Sequence, residues 1–452
     1  MKMYDLTPSQ KNIFMLVTFS LHKQICQLPS TFAVKEELDF KKLEEAVNIE
    51  IERNDSLRMR FKKEKKEMKQ YFIDSFKVNN IPIVEFSTEE EEETYFLKRA
   101  KKKLHFLKGE LFDISFYKNN RGYYGVYFNC THLTVDAVGI QIFYNDLLNV
   151  YHSLIKNEEL PKPLYSFEEY IAKDLERLKD ETLLQSGKEF YQKYFREYGE
   201  PYYANVGGPE LLEKERKRKR NPHLMSTTSA YSPLWDKGDY KKYSLSDEDS
   251  KKILDYCEKN MISPEILFSM GARTHLSKIN NRNPYSFLNF MCNKRLNYKE
   301  KYMGGCLAQT IQVITKLEEE LTFKQGIEEM TNVRTKLYRN IYYPYPYARN
   351  ILRDMYHLKA TQGQASFMLS WFQVPVLDVP YEYTSYYRKK TFNPLYILAS
   401  TDTNHNILLQ YTYRTKFISE KDIDSLHKHM VKNILKAIDQ PNITLKELMD
   451  SE

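Results

Sequence analysis

The chain has 452 residues, of which 42% are hydrophobic and 29% are charged, and its net charge is +7 from 68 basic and 61 acidic side chains. This composition is typical of a globular protein with a sizeable core and excludes a disordered chain. The positive excess is small for such a length. It favours an acidic partner, such as a carrier protein or a phosphorylated cofactor, over nucleic acid.

The cysteines are scattered, odd in number and never paired as CxxC; they are Cys26, Cys130, Cys257, Cys292 and Cys306. We therefore expect reduced thiols rather than a disulfide framework, and no metal site. The N-terminus lacks the apolar run of a signal peptide, and no stretch reaches the roughly 18 apolar residues of a membrane span. A cytoplasmic protein with no membrane association is expected.

Helical and strand patterns alternate along the first half of the chain. Asp39 and Thr88 each precede a predicted helix as its N-cap. Residues 112–116 and 123–129 have the character of two strands. A further helix has apolar residues at helical spacing, namely Ile140, Phe143, Leu147 and Tyr151. Residues 130–136 are therefore predicted to lie between a strand and a helix.

The same signals return in the second half. Ser246, Ser263 (followed by a proline) and Ser419 are predicted helix caps. Residues 395–399 and 407–413 have the pattern of strands. The coarse prediction is an α/β protein.

A hydrophilic stretch over 201–242 separates the two halves and contains a basic run at 214–220. The run is consistent with a basic docking patch, but a solvated or disordered loop is the favoured interpretation. The boundary between lobes is placed near 176–186, which divides the chain into 1–178 and 179–452.

The predicted strand-to-helix loop contains His132 and Asp136, an HxxxD pair. On its own the pair fits an ordinary loop histidine followed by an acid at a helix N-terminus. Cys130 precedes it, and a buried structural thiol is its expected role. The pair becomes informative only together with the rest of the chain.

Five segments, in order, carry a family resemblance: LTPSQ at 6–10, RNDSLRMRF at 53–61, THLTVDAVG at 131–139, SFEEY at 166–170 and RKKTFNPL at 388–395. Together they resemble the motifs of the condensation domains of nonribosomal peptide synthetases, in the chloramphenicol-acetyltransferase-like superfamily. The resemblance spans nearly the whole chain. It implies two chloramphenicol-acetyltransferase-like αβ sandwich lobes arranged as a V, with a central cleft.

The resemblance also implies roles for particular residues. His132 would be catalytic, as a general base or as an orienter of the acceptor, at the floor of the cleft. Asp136 would be structural, forming an ion pair with an arginine of the second lobe. Arg295 is the matching candidate.

The motif departs from the family pattern at two positions. Thr131 stands in place of the first histidine, and Ala137 in place of the glycine, while Val138 and Gly139 complete the motif. Simpler acetyltransferases of the superfamily need only HxxxD, so activity is still expected. The segment 303–310 follows the family's acceptor-side motif only loosely.

The implied activity is acyl transfer from the phosphopantetheine thioester of a carrier protein to a small-molecule amine, which forms an amide. The carrier would act in trans, no cofactor would be bound permanently, and a monomer is expected. One alternative keeps the mechanism but uses acyl-CoA and an alcohol acceptor. A second, favoured by Thr131, is a catalytically degenerate protein that recruits a partner.

Overall fold

The computed structural model describes residues 2–199, 203–222, 224, 236–359, 365–372, 380–387, 389–402 and 404–451. Its helices are α1 (Pro8–Phe19), α2 (Phe40–Arg53), α3 (Glu89–Arg99), α4 (Ala137–Lys156), α5 (Phe167–Arg177), α6 (Glu181–Tyr198), α7 (Glu210–Lys219), α8 (Asp247–Lys259), α9 (Pro264–Ile279), α10 (Tyr298–Lys301), α11 (Phe323–Arg339), α12 (Tyr345–Met355), α13 (Glu420–Asp439) and α14 (Leu445–Asp450).

The strands are β1 (Tyr4–Asp5), β2 (Gln27–Val34), β3 (Met59–Glu64), β4 (Glu67–Phe72), β5 (Ile83–Glu85), β6 (Phe112–Lys118), β7 (Tyr124–Thr131), β8 (Gly238–Ser244), β9 (Tyr285–Cys292), β10 (Gln309–Lys316), β11 (Met368–Phe372), β12 (Tyr381–Ser385), β13 (Leu395–Thr401) and β14 (Ile407–Arg414).

The chain folds into two compact units. Unit 1 comprises Met1–Glu181, Asn293–Gln309 and Pro375–Arg388, and unit 2 comprises Thr182–Cys292, Thr310–Val374 and Lys389–Glu452. The division into lobes at 178 and 179 stays a prediction. What the residue patterns did not indicate is that two segments of the C-terminal half pack within unit 1. Local patterns locate elements, but they do not say which sheet a distant strand joins.

Unit 1 is built around a sheet of five described strands in the order β12-β2-β7-β6-β5. Strand β7 lies in its middle, antiparallel to both neighbours, with Thr131 opposite Gln27 of β2 and Cys130 opposite Phe112 of β6. Strand β12 pairs with the other edge of β2. Strands β1, β4 and β3 form a separate, smaller sheet of unit 1, in that order.

Successive side chains of the central strand point to opposite faces of the sheet, and both faces are buried. Val126, Phe128 and Cys130 point to one face and share a hydrophobic cluster with the apolar residues of α2 and α4. Phe128 is fully buried, and its ring stacks on Phe143 with centroids 4.2 Å apart. The strand runs two residues further than predicted, to Thr131. The connection to α4 is correspondingly shorter and comprises only residues 132–136.

The predicted helix caps are confirmed where a side chain supplies the acceptor. The Asp39 carboxylate accepts hydrogen bonds from the first N–H groups of α2, and the Thr88 hydroxyl accepts one at the start of α3. Ser246 and Ser419 do the same for α8 and α13. Ser263 occupies the cap position of α9 without a side-chain hydrogen bond, and the proline after it provides the helix start.

The basic run 214–220 was predicted to be a loop, and that prediction is wrong for most of it. Residues Glu210–Lys219 form α7, and the chain leaves the helix through Arg220 with a left-handed φ of 48°. Glutamates spaced three residues before the cations explain the helix, because such pairs stabilise it. Arg218 lies 2.6 Å from Glu215 in this way. Residues 223 and 225–235 of the same predicted linker lie outside the described residues.

Unit 2 contains a sheet of six described strands in the order β10-β9-β11-β13-β14-β8. Helix α9 is buried from Glu265 to Ser277. The buried residues include the polar side chains of Glu265, Arg273 and His275, so the helix is buried on every side although it is not apolar throughout. The large hydrophobic cluster of unit 2 forms around it. Within the described ranges, no helix combines the length and the apolar character that crossing a membrane requires.

Phe128→Ala tests the packing that supports β7. Removing a fully buried phenylalanine ring should lower the free energy of unfolding by about 3–5 kcal/mol, because it leaves a cavity and removes the contact with Phe143. Leu107→Ala, at a side chain that is 53% exposed, is the control and should change it by less than about 0.5 kcal/mol. Urea unfolding followed by circular dichroism provides the comparison. Equal losses in the two variants would contradict the packing described here.

Candidate active site

The turn between β7 and α4 orients His132. The backbone N–H of His132 donates to the Cys26 carbonyl at 2.8 Å, which ties the residue to the end of the neighbouring strand. The ring nitrogen Nδ1 lies 3.0 Å from the Val135 carbonyl oxygen, three residues further along the same turn. Backbone carbonyls thus hold His132 at two points, its own backbone N–H and its ring nitrogen Nδ1. Its side chain is half-buried.

The Val135 contact determines the protonation pattern of the ring. A carbonyl oxygen only accepts hydrogen bonds, so Nδ1 must carry the proton that is shared with it. In the neutral ring, Nε2 then holds the lone pair. Among the described residues, nothing hydrogen-bonds to Nε2 of His132. The arrangement leaves a basic nitrogen available to a substrate.

Burial lowers the pKa of His132 below its usual 6.5, because the charged imidazolium is poorly solvated there. The nearby Asp136 carboxylate and the Val135 carbonyl act in the opposite direction but do not outweigh burial. The histidine is therefore neutral at physiological pH. A neutral imidazole with Nε2 unprotonated is the form that accepts a proton.

Cys306 lies beside the imidazole and was not singled out by the sequence. Its sulfur is 3.9 Å from Nδ1 of His132, and the residue is 1% exposed. Burial raises the pKa of the Cys306 thiol well above its usual value, so the group is a neutral thiol. Since Nδ1 already carries a proton for Val135, it cannot take one from the sulfur. The pair does not form an activated nucleophile.

Asp136 accepts four hydrogen bonds from three parts of unit 1. Its Oδ1 accepts from the Gly139 N–H at 2.8 Å and so caps α4. Its Oδ2 accepts from Arg295 Nη1 and from the Leu307 and Ala308 N–H groups, each at 2.9 Å. The ion pair that the resemblance implied is present, and both side chains are buried. Arg295 itself belongs to unit 1, in the segment Asn293–Gln309, and not to unit 2.

The pKa of Asp136 reflects these partners. Burial alone would raise it, but the Arg295 guanidinium and the N–H groups of Gly139 and Leu307 stabilise the carboxylate and lower it. A lowered folded-state pKa means that the ionised group stabilises the fold at pH values above the unfolded pKa of about 3.9. That contribution is lost as the pH falls through the lower, folded-state value.

The segment carrying Arg295 is held by a second buried pair. Lys294 Nζ lies 3.2 Å from the Asp174 carboxylate of α5, and both side chains are at most 5% exposed. Lys294 has a φ of 54°, so successive side chains at 294 and 295 leave the backbone in different directions. The two cations thus reach Asp174 and Asp136 respectively. Together they anchor the start of 293–309 to the N-terminal part of the chain.

Two glycines permit the close approach of this segment to α4. A Cβ atom on Gly139 would lie 2.8 Å from Val135 and 2.9 Å from the Gly305 carbonyl oxygen. Gly305 has a φ of 99°, and a Cβ atom there would lie 2.4 Å from the Phe167 ring. Larger residues would push the segment away. The adjacent glycines at 304 and 305 were the one signal in the sequence for the position of Cys306.

Within the HxxxD segment at 131–139, Thr131, Ala137 and Val138 form no described hydrogen bond with the imidazole. Thr131 is buried, its N–H donates to the Leu111 carbonyl at 2.9 Å, and its own carbonyl accepts from Thr134. Ala137 is exposed and Val138 is half-buried in the first turn of α4. The structure therefore brings together His132, Asp136, Gly139 and Arg295, and it leaves Ala137 and Val138 at the periphery.

The other resembling motifs support the same turn. Gln10 at the start of α1 donates to the Leu133 carbonyl at 2.9 Å, and the Ser9 hydroxyl donates to the Leu307 carbonyl at 3.0 Å. Asp55 accepts from the first N–H groups of α5 at 2.9 and 3.1 Å, so two motifs that are distant in sequence meet there. In the late motif at 388–395, residue 388 lies outside the described residues.

Among the described residues, no group of three or more histidine, cysteine, aspartate or glutamate side chains is arranged to hold a metal ion.

Comparison with known proteins identifies the family. The model of the condensation domain matches residues 1–451, and the chain belongs to that family. It is 22% identical to surfactin synthase subunit 1 of Bacillus subtilis (strain 168) over 98% of the chain, which spans only 12% of that relative. Members of the family are acyltransferases that form amide bonds, as in nonribosomal peptide synthesis.

Solved structures match over the whole length. The first condensation domain of the calcium-dependent antibiotic synthetase, in complex with a substrate analogue, has a TM-score of 0.79 at 12% identity, covering 99% of this chain and 98% of the other. A double mutant of the starter condensation domain of rhizomide synthetase, in complex with C8-CoA, has a TM-score of 0.78 at 11% identity, covering 98% of this chain and 96% of the other. The predicted fold class, two chloramphenicol-acetyltransferase-like αβ lobes, is confirmed.

Asp136→Asn tests the ion pair. The amide keeps the size of the side chain but leaves Arg295 buried without its counter-charge, so the free energy of unfolding should fall by about 3–5 kcal/mol. Glu176→Gln is the matched control, because its pair with Lys179 is about 70% exposed, and it should change stability by less than about 1 kcal/mol.

Adding Arg295→Met to Asp136→Asn should recover part of the loss, since the unpaired buried cation is then removed. Urea unfolding of the three variants measures the coupling. A loss in Asp136→Asn no larger than that in Glu176→Gln would contradict the structural role.

Proposed function

We propose that the chain transfers an acyl group from the phosphopantetheine thioester of a carrier protein to an amine, forming an amide, with His132 as general base or orienter. The observation that supports this most directly is the hydrogen bond between His132 Nδ1 and the Val135 carbonyl, at 3.0 Å. It leaves Nε2 as the unprotonated nitrogen of a neutral ring. Family membership supports amide formation; the donor, the acceptor and the role of the histidine are part of the proposal.

The proposed reaction is balanced by a single proton shuttle. The amine nitrogen attacks the thioester carbonyl carbon, the new C–N bond forms, and the C–S bond breaks. His132 Nε2 accepts the proton that the amine loses and delivers it to the departing sulfur. The products are an amide and the free thiol of the phosphopantetheine arm, and the histidine returns to its neutral state.

The lowered pKa of His132 suits this task. A histidine that stays neutral at physiological pH is ready to accept a proton as soon as the acceptor binds. A base of lowered pKa has a smaller driving force for taking a proton. The ring therefore contributes most once the attacking amine nitrogen has become acidic by forming the C–N bond. Orientation of the amine by Nε2 is then as important as the proton transfer itself.

Asp136 and Arg295 act as positioning residues in this proposal. The Asp136 carboxylate has all of its described hydrogen bonds within the protein, to Arg295, Gly139, Leu307 and Ala308. It is also buried, with 1% of its surface exposed, so it is not placed to contact a substrate. Its effect on the reaction would pass through the start of α4 and the turn that holds His132.

The partner is proposed to be a carrier protein supplied by another chain. The relative described above is a synthetase subunit of which this chain spans a small part, so partner domains are not assigned from it. The net charge of +7 supports an acidic partner. The acceptor is proposed to be a small-molecule amine.

A CoA thioester is the second candidate donor. The starter condensation domain of rhizomide synthetase was solved with C8-CoA, which supports testing acyl-CoA with this chain. The reaction at His132 would be the same, because both donors present a thioester on a phosphopantetheine arm. An alcohol acceptor, giving an ester, accompanies this candidate.

The third candidate is recruitment of a partner without catalysis. Thr131, which stands where the family has a first histidine, supports it. The buried position of Thr131 at the end of β7 weakens it, since a side chain hydrogen-bonded within its own turn is not the group that meets a substrate. The presence of His132, with its backbone contacts to Cys26 and Val135, also weakens this candidate.

His132→Ala should lower turnover by about 10²–10⁴-fold, the usual contribution of a positioned acid–base group, and should leave the fold unchanged. Thr131→Ala should cost less than about tenfold, because a threonine hydroxyl is a poor base. The measurement is intact-mass analysis of acyl-loaded carrier proteins incubated with the chain and candidate amines, with acyl-CoA donors run in parallel.

Comparable small losses in both variants would contradict a base or orienting role for His132. Absence of product from any carrier-bound or CoA donor with the unmodified chain, alongside tight binding to a synthetase partner that survives His132→Ala, would favour recruitment instead.

A further inference from the structure

Unit 1 contains a pocket of about 380 Å³ whose lining does not include His132. Its apolar part is formed by the buried side chains of Leu57, Leu104 and Leu111 together with Phe76. Its volume falls within the range of about 300–1,000 Å³ that is usual for small-molecule sites. The pocket is open to solvent on one side, and cations stand among its lining residues.

Arg60 is the most informative of these cations. It lies on β3 and is half-buried, and its guanidinium carbon stands 4.9 Å above the centre of the Phe76 ring. Its Nη1 donates to the Met59 carbonyl at 2.6 Å. On its other side is Gly109, where a Cβ atom would lie 3.3 Å from Nε. The guanidinium is therefore held by a cation–π contact with Phe76, by the hydrogen bond to Met59 and by the close approach of Gly109.

Arg60 has no counter-ion in the part of the chain that the structure describes. Among the described residues, no carboxylate lies within ion-pair distance of it, and the Met59 carbonyl is its one described hydrogen-bond partner. A guanidinium has five N–H donors, so most of them remain for another group. Burial lowers the pKa of Arg60, which reflects the cost of keeping this cation out of water without an anion. Other half-buried arginines of unit 1, such as Arg53 and Arg99, are paired with carboxylates.

Two lysines add positive charge around the pocket. Lys77 is exposed, and no ion pair with a described carboxylate accompanies it. Lys102 is paired with Asp113 at 2.6 Å. Glu110, the acidic residue of the lining, accepts a hydrogen bond from the His105 N–H at 3.1 Å. Even with Glu110 included, the lining carries a net positive charge next to an apolar floor.

We propose that this pocket binds an amphipathic organic anion, with its carboxylate on Arg60 and its apolar body on the floor made by Leu57, Leu104 and Leu111. A planar guanidinium presents two parallel N–H groups to a carboxylate, which gives the pair both strength and direction. The apolar side chains supply the burial that a short alkyl or aryl body needs. The anion supplies the counter-charge that none of the described residues provides to Arg60.

This site goes beyond the proposed acyl transfer and does not use its residues. Leu111 links the two regions, since its carbonyl accepts from the Thr131 N–H at 2.9 Å and its side chain shares a hydrophobic cluster with Leu133, but His132 does not line the pocket. Binding of the anion therefore does not require a functional His132. Failure of one proposal can be distinguished from failure of the other.

Isothermal titration of the full chain with butanoate, octanoate and 3-phenylpropanoate tests the proposal, with octanamide and inorganic phosphate as the neutral and the purely charged probes. At least one of the carboxylates should bind with one site per chain. Octanamide should bind at least about tenfold more weakly than octanoate, the factor that about 1.4 kcal/mol represents. Phosphate should bind at least as weakly as octanamide, because it has no apolar body.

Arg60→Met keeps an apolar stem and removes the charge, and it should weaken carboxylate binding at least about tenfold. Because it removes an unpaired cation, its urea midpoint should equal or exceed that of the unmodified chain. Lys63→Met, an exposed cation of the same strand, is the matched control and should bind within about twofold of the unmodified chain. His132→Ala should also bind normally.

No saturable binding of any of the three carboxylates would overturn the proposal. Equal binding of octanoate by Arg60→Met, or equal binding of octanamide and octanoate, would overturn it as well. Loss of binding in His132→Ala would place the anion at the reaction site and would likewise contradict a separate pocket.

Discussion

The Asp136 carboxylate, buried against Arg295 at 2.9 Å, is the interaction on which the geometry of the site depends. One oxygen caps α4 through Gly139, and the other receives Arg295 and two consecutive N–H groups of the segment that carries Cys306. A carboxylate in such a position must be ionised and fully paired, because an unpaired buried charge is costly. The ion pair thereby joins a helix start, a loop and an arginine that lie far apart in sequence.

The position of His132 follows from that constraint. The cap at Asp136 fixes where α4 begins, and the four residues between β7 and the cap have little freedom. Val135 is consequently held with its carbonyl toward the imidazole, at 3.0 Å from Nδ1. The tautomer of the histidine is therefore a consequence of how the turn is built. Asp136 supports the reaction through this geometry, without contact with a substrate.

Local features of the fold were predictable because they depend on neighbouring residues. The caps at Asp39 and Ser246 required only a side-chain oxygen ahead of an amphipathic pattern. The strand-to-helix position of the HxxxD pair was predictable for the same reason. Arg295 came from the family resemblance and not from spacing, since 159 residues separate it from its partner.

Features that depend on tertiary contacts were not predictable. Cys306 meets His132 across 174 residues of sequence, and the two glycines before it indicate a close approach of the backbone but not its partner. Strand β12 joins the edge of β2 in unit 1 although it follows most of unit 2 in the chain. Helix α7 was missed for a different reason. Its composition is that of a solvated segment, and only the spacing between its glutamates and its cations indicates a helix.

The proposed reaction depends most directly on the protonation state of His132, which the β7–α4 turn holds neutral with its proton on Nδ1. Nitrogen–proton correlation spectra of the imidazole ring, recorded on nitrogen-15-labelled protein across a pH series, measure both properties. His132→Gln identifies the resonance. The contact with Val135 predicts the Nδ1–H tautomer, and burial of the ring predicts a pKa below the usual value of about 6.5. A proton on Nε2, or a pKa at or above that value, would contradict it.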